Sequence, residues 1–318
     1  MTAAAPSADY PIRVAPSAAF AAARDLLVRN AYDERTVAGR MGARSLYGLL
    51  RLVDGRKTLA GEPEDGNEAL VRLFVDGGAL PAPLVERLLG ADGVRALDAL
   101  GLLAPAPNEP AALRATVMLY PTQGLWLASD RLPMRDAEAE APPHDYVFSA
   151  INDLTRDFLA LLPDAPGKRV VELAAGTGIA ALRAVRRGAA EAWATDVVPR
   201  CVHFATFNAH LNGLADRVTV VQSDAWDALA GETFDLVVAH PPYVPALAHR
   251  YDFRDAGSDG EQVTRRIIGA LPAHLRDGGR CVVRAAISER RGAPIAERVR
   301  GWLGDAGGDV DLLVVENG

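Results

Sequence analysis

The stretch Glu172-Leu173-Ala174-Ala175-Gly176-Thr177-Gly178 places a carboxylate and two glycines where an apolar run, RVVELA, gives way to the helix-like TGIAALRAVRRG. Glycines at such a turn let the backbone approach a ligand with no Cβ in the way. A carboxylate just ahead of the turn repels a pyrophosphate. It suits a ligand that carries an ammonium or a sulfonium. Asp196 closes the next apolar run, EAWATD, and a carboxylate there can accept hydrogen bonds from both hydroxyls of a ribose. The run Gly176-Thr177-Gly178-Ile179-Ala180-Ala181 also satisfies the dinucleotide fingerprint, so a dinucleotide oxidoreductase is the rival reading. A further apolar run, FDLVVA, ends in His240-Pro241-Pro242-Tyr243. Neutral histidine offers one donor and one acceptor, and it can act as a general base near neutral pH.

The loop that follows, Tyr251 to Gly260, is rich in charge and glycine and should rim the same pocket. Arg254 is a candidate for binding a substrate carboxylate; an ion pair with a neighbouring Asp is the simpler expectation. Asp252, Asp255 and Asp259 lack the twelve-residue calcium spacing and its closing Glu, so no metal is expected. Two cysteines far apart, Cys201 and Cys281, cannot make a structural zinc site and fit a reduced, cytoplasmic setting.

These residues need a frame that brings strand ends together. From Lys168 onward the sequence alternates between short β-rich runs and amphipathic helical runs, which predicts a doubly wound α/β parallel sheet. In such sheets ligands bind beyond the carboxyl ends of the strands at the topological switch point. GRCVVRAAI and DVDLLVVE read as the last two strands, and Pro272 should interrupt VTRRIIGALPAHL. A sheet of this kind usually ends in an antiparallel hairpin. The chain halts at Asn317-Gly318, a favoured hairpin turn, so either it is truncated there or a strand from elsewhere completes the sheet.

The first half has another rhythm. Residues 17–60 read as helical, and NEALVRLFVDGG, PAPLVERLLG and DGVRALDALGLL as three short helices. ATVMLYPTQ and GLWLASD then read as a hairpin, which together give a winged-helix-like unit. Its third helix offers only Arg95 beside Asp92 and Asp98, which favours packing, substrate shaping or dimer formation over DNA reading. The expected organisation is a helical, winged-helix-like N-terminal domain over 1–130, a linker or lid over 131–150, and the α/β domain over 151–318.

VVELAAGTG, ATD, QSDAWD and FDLVVAHPPYVP together resemble class I S-adenosylmethionine-dependent methyltransferases whose fourth strand ends in Asn-Pro-Pro-Tyr or Asn-Pro-Pro-Phe. That group includes glutamine N5-methyltransferases of release factors and base N-methyltransferases of RNA. The resemblance covers about 165–290 and implies a Rossmann-like methyltransferase sheet. It implies S-adenosylmethionine as cofactor and S-adenosylhomocysteine as product. It places Glu172, Ala174, Gly176, Thr177 and Gly178 along the methionine moiety, Asp196 and Val197 at the ribose, and Asp224 and Ala225 at the adenine. It makes His240, Pro241, Pro242 and Tyr243 the catalytic corner, with Tyr243 and Arg254 toward the substrate. The family has Asn where this chain has His240, so the acceptor group is open. The leading expectation is methyl transfer to N or O of a small metabolite or protein side chain. An RNA or DNA base N-methyltransferase is the alternative, and a non-catalytic winged-helix regulator that senses S-adenosylmethionine is the alternative of another class.

Composition bounds these readings. The 318 residues are 49% apolar and 24% charged with a net charge of −7, an ordinary globular balance that weakens a nucleic-acid substrate. One basic group, Arg35, Arg40, Arg44, Arg51, Arg56 and Lys57, is the only candidate patch. No apolar run reaches the about 18 residues needed to span a membrane, and the N-terminus lacks a secretion signal. A homodimer is compatible with the helical first half.

Overall fold

The computed structural model describes residues 10–47, 59, 61–131 and 142–315. Helices α1 (Ser17–Arg29) and α2 (Glu34–Arg40) lead into α3 (Gly66–Val71), which runs on as a π-helical turn to Asp76. Strand β1 (Ala79–Pro81), helices α4 (Ala82–Leu89) and α5 (Ala91–Ala99), and strands β2 (Leu103–Ala106) and β3 (Glu109–Ala115) follow. The three strands form an antiparallel sheet in the order β1-β3-β2. The hairpin that follows the three helices is therefore β2–β3, not the later pair that the apolar pattern suggested. Asn108 and Pro107 sit at its turn, a signal the apolar runs on either side obscured.

The later pair, β4 (Met118–Thr122) and β5 (Leu125–Ser129), is a separate two-stranded hairpin. Its turn residues Gln123 and Gly124 both have positive φ, as a tight hairpin demands. This hairpin lies against a helix of the second half, α8 (Pro199–Leu211). Asn208 and Asn212, one turn apart on α8, take the place of a neighbouring strand for β5. Asn208 accepts from Ala128 N–H at 2.7 Å and donates to Ala128 C=O at 3.1 Å. Asn212 does the same for Trp126 at 2.9 and 2.7 Å. The edge groups of β5 are thus satisfied although no strand pairs there. Phe204 and Phe207 of the same helix are fully buried and contribute about 2–3 kcal/mol each. One apolar core runs from Phe20, Leu26 and Tyr32 through Leu127 to Phe207 and Val238, so both halves of the chain share it.

After α6 (Asp153–Leu161), capped by Asn152, come β6 (Arg169–Leu173), α7 (Ile179–Arg186), β7 (Glu191–Asp196), α8 and β8 (Val218–Gln222). Then come β9 (Phe234–Ala239), α9 (Gln262–Gly269), the short α10 (Leu271–His274), β10 (Leu275–Val283) and α11 (Ile295–Trp302). Pro272 falls at the start of α10, where a break was expected. The sheet is parallel throughout, in the order β10-β9-β6-β7-β8. Succession runs outward from β6 to β8 and then returns to β9 on the other side. The switch point lies between β6 and β9, with Glu172 beside Val238 and Leu173 beside Ala239.

The expected strand DVDLLVVE does not form over residues 311–315, which carry no regular structure. Leu313, Val314 and Val315 remain exposed. A β-prone run without a partner strand gains none of the packing that β-propensity reflects. Of the basic group, Arg40 pairs with Asp65, while Arg51, Arg56 and Lys57 lie outside the described residues, as do 132–141 of the expected linker and Asn317-Gly318. Among the described residues, no helix is long and apolar enough to cross a membrane.

Candidate active site

A cavity of about 370 Å³ opens at the carboxyl ends of β6, β7, β8 and β9. Glu172, Ala174, Gly176, Thr177, Asp196, Val197, Asp224, Ala225, His240, Pro241, Pro242, Tyr243 and Arg254 all line it. Residues spread over 82 positions thus meet because four parallel strands end on one rim. Gly178 is the exception among the expected residues. It stands at the N-cap of α7 with φ +76°, and a Cβ there would sit 3.2 Å from the Cβ of Ala205 on α8. Close helix packing, not ligand approach, requires that glycine.

The turn itself is tightly bonded. Asp196 accepts from Gly176 N–H at 2.8 Å and from Val198 N–H at 3.0 Å. Its carboxylate therefore fixes the glycine turn as well as facing the cavity. Burial raises its pKa, and those backbone donors oppose the shift. Gly176 has φ +53° and open space where a Cβ would stand. Ala174 and Ala225 also have positive φ, +53° and +49°, a left-handed conformation uncommon for non-glycine residues. Both line the cavity, so backbone strain sits where backbone groups must face a ligand.

Glu172 is buried beneath the turn and accepts the N–H of Ala181 at 2.8 Å in the first turn of α7. Burial pushes its pKa up to about 8 despite the helix donors. No arginine pairs with it among the described residues. A carboxyl in this state would be drawn to its charged form by a cation in the cavity. At the far side, Asp224 is bonded by the guanidinium of Arg266, which reaches from α9 to both Asp224 and Asp227.

At the end of β9, the His240 ring packs 5.4 Å from Phe158 of α6 and 5.9 Å from Tyr243. Burial, and then the charge of Arg284, lower its pKa to about 4. The ring is neutral at physiological pH and is too weakly basic for the general-base role expected near neutrality. Arg254 makes the simpler of its two expected contacts, an ion pair with the neighbouring Asp255 at 2.8 Å, and lies over the Tyr251 ring. Asp255 also accepts from Arg250 N–H at 2.7 Å and Tyr251 N–H at 3.1 Å, so it staples the loop rather than serving a ligand.

Two segments cover the cavity mouth. Tyr146 and Phe148 come from the chain before α6, and Phe253 from the loop after β9, with Phe148 stacked on Phe253 at 5.4 Å. Asp252 N–H donates to His144 C=O at 2.9 Å, and the Asp252 carboxylate is bracketed by the His144 and His249 rings. Sequence reasoning missed Phe158, Arg266 and Arg284, which carry no local motif and reach the site from 39 or more positions away. The aromatic cover lies in the two segments expected to rim or close the pocket, although its rings were not singled out.

This chain is similar to known methyltransferases. Residues 144–290 match the methyltransferase small domain family. A release factor glutamine methyltransferase of Xylella fastidiosa is 36% identical over 137 residues, which are 40% of this chain and 50% of that one. A ribosomal protein uL3 glutamine methyltransferase of Bordetella pertussis is 27% identical over 251 residues, 73% of this chain and 80% of that one. This chain spans about half the length of the release-factor relative. A solved S-adenosylmethionine-dependent methyltransferase from Agrobacterium tumefaciens aligns with 18% identity and a TM-score of 0.38, over 56% of this chain and 57% of that one.

Proposed function

We propose that this chain, whose residues 144–290 match the methyltransferase small domain family, is an S-adenosylmethionine-dependent methyltransferase that methylates a side-chain nitrogen of a protein, a carboxamide above all. One observation carries the reading. The buried acid Glu172, the Asp196-braced glycine turn and the His240-Pro241-Pro242-Tyr243 corner face one cavity. In this reading Glu172 and the turn take the methionine end, Asp196 the ribose, and Asp224 with Ala225 the adenine. The relatives named for glutamine methylation support the choice of a carboxamide.

An amide nitrogen is a poor nucleophile because its lone pair is delocalised. The corner's task is to hold that nitrogen in line with the activated methyl group in a dry pocket. The new nitrogen–carbon bond forms as the carbon–sulfur bond breaks, and sulfur keeps the electron pair as neutral S-adenosylhomocysteine. The nitrogen then loses one proton to solvent, since so acidic a product needs no strong base. The N-terminal unit, which shares its core with the methyltransferase half, is assigned to substrate docking.

The test pairs calorimetry with label transfer. The chain should bind S-adenosylhomocysteine and not NAD, and label from methyl-labelled cofactor should appear in the protein fraction of a size-separated lysate. Label confined to RNA would overturn the acceptor class, and NAD binding alone would overturn the whole reading.

A further inference from the structure

Arg284 directly follows β10, and its N–H donates to Ala239 C=O at 3.0 Å. That bond sets its side chain beside the residue that follows Ala239, which is His240. The Arg284 Nη1 lies 3.4 Å from His240 Nε2 and 3.3 Å from the Tyr243 hydroxyl. Its Nε is buried without a hydrogen-bond partner, and no carboxylate pairs with it among the described residues. A guanidinium has donors and no acceptor. The ring atom that faces it must therefore present a lone pair, which leaves the proton of the neutral imidazole on Nδ1. The Nδ1 atom has no partner among the described residues, and the His240 side chain lines the cavity.

We propose that Arg284 is a positioning residue that fixes His240 as the neutral Nδ1–H tautomer, so that the corner grips its acceptor by an oxygen lone pair, namely the carbonyl of a carboxamide. The choice of a carboxamide rests on the methyl-transfer reading above; the tautomer does not. An asparagine at this position offers both an N–H donor and a carbonyl acceptor. His240, with Nε2 engaged by Arg284, offers only a donor. An acceptor group with no lone-pair atom beside its nitrogen therefore finds no partner here, whereas an amide, with its carbonyl oxygen, does. Burial between Phe158 and Tyr243, and then the Arg284 charge, also disfavour imidazolium, so the ring stays neutral.

The test reads the histidine directly, without need of a substrate. Two-bond proton–nitrogen spectra of the histidine-labelled full chain should show His240 as the Nδ1–H tautomer, unprotonated down to pH 5. Arg284→Met should let the proton move to Nε2 and raise the pH of protonation, while burial still holds it below the ordinary value of about 6.5. Arg284→Lys, which keeps a donor and the charge, should restore the wild-type pattern in part. An Nε2–H tautomer in the wild type, or an unchanged pattern in Arg284→Met, overturns the positioning role. For the acceptor class, N-acetylglutaminamide and aniline are added in turn with S-adenosylhomocysteine present. The amide should shift the His240 Nδ1–H signal and aniline should not; equal response to both, or to neither, overturns the carbonyl grip. If the tautomer holds while no methyl transfer is found, the methyl-transfer reading fails and the Arg284 assignment stands.

Discussion

The buried amide of Asn208 donates to the carbonyl of Thr177 at 3.0 Å, while the same side chain holds Ala128 of the hairpin β4–β5. One residue on α8 thus joins the first half of the chain to the glycine turn that floors the cavity. Asn208→Leu would leave an N–H and two carbonyls unpaired in the core, at roughly 1–3 kcal/mol each. The expected outcome is a loss of about 3 kcal/mol in denaturant unfolding. S-adenosylhomocysteine binding should also weaken by about tenfold, measured below the unfolding transition. Loss of stability with unchanged ligand affinity would show that the link to Thr177 does not shape the turn.

Glu172 predicts a pH dependence with a definite sign. Its folded carboxyl holds the proton up to about pH 8, against an ordinary value near 4.5. Between those values the folded state binds more protons than the unfolded one, so this group's contribution to stability falls as pH rises. A cationic ligand favours the carboxylate, so binding below pH 8 should expel a proton. Affinity for S-adenosylhomocysteine, which carries an ammonium, should rise by up to about tenfold per pH unit and level off above pH 8. Calorimetry at pH 7 in buffers of different ionisation enthalpy should report release of nearly one proton, and Glu172→Gln should abolish it. A wild-type affinity flat from pH 6 to 8 would remove the cation from this end of the cavity.

What could be read from the sequence is what local pattern determines. The alternation from Lys168 onward gave the strands, and strand ends in a parallel sheet must share a rim, so Glu172, Asp196, Asp224 and His240 could be placed together before any coordinates. The hairpin that follows the three helices was misplaced because β4–β5 is apolar enough to read as part of the first unit, whereas its edge is satisfied by Asn208, 80 positions from Ala128. The partners that decide chemistry are of the same long-range kind. Arg266 meets Asp224 across 42 positions, and Arg284 meets His240 across 44. No periodicity encodes such pairs. The state of His240, neutral with one lone pair engaged, follows from them and not from its place in a motif.

Ala174 stands where its backbone is left-handed, φ +53°, at the start of the glycine turn. Such a conformation costs a non-glycine residue about 1–2 kcal/mol. Ala174→Gly removes that strain but loosens the unfolded chain by about 0.4–1 kcal/mol. The net change in stability should therefore stay within about 1 kcal/mol. Ala174→Val puts a β-branched side chain in a conformation it rarely adopts and crowds the cavity. It should lower the melting temperature clearly and block S-adenosylhomocysteine binding. Valine tolerated at this position with full ligand affinity would mean that the turn does not hold this conformation around the ligand.

The pairing of His144 with Asp252 makes closure of the cavity mouth depend on pH. The hydrogen bond to Asp252 raises the His144 pKa above its ordinary 6.5, and nearby Asp145 adds to the shift. A raised histidine pKa contributes its stabilisation fully below the unfolded value and loses it as pH rises through the folded one. The His144 ring is largely exposed, so the effect should appear as local opening rather than global unfolding. The reporter is the Asp252 amide, which donates to His144 C=O and so bridges the two covering segments. Its exchange protection, corrected for the intrinsic dependence on pH, should fall between pH 6 and 8. In Asp252→Asn, which cannot attract imidazolium, protection should be lower at pH 6 and independent of pH over the same range. If wild type and Asp252→Asn lose protection in parallel, the His144–Asp252 pair does not hold the cover in place, and the stack of Phe148 on Phe253 closes the cavity unaided.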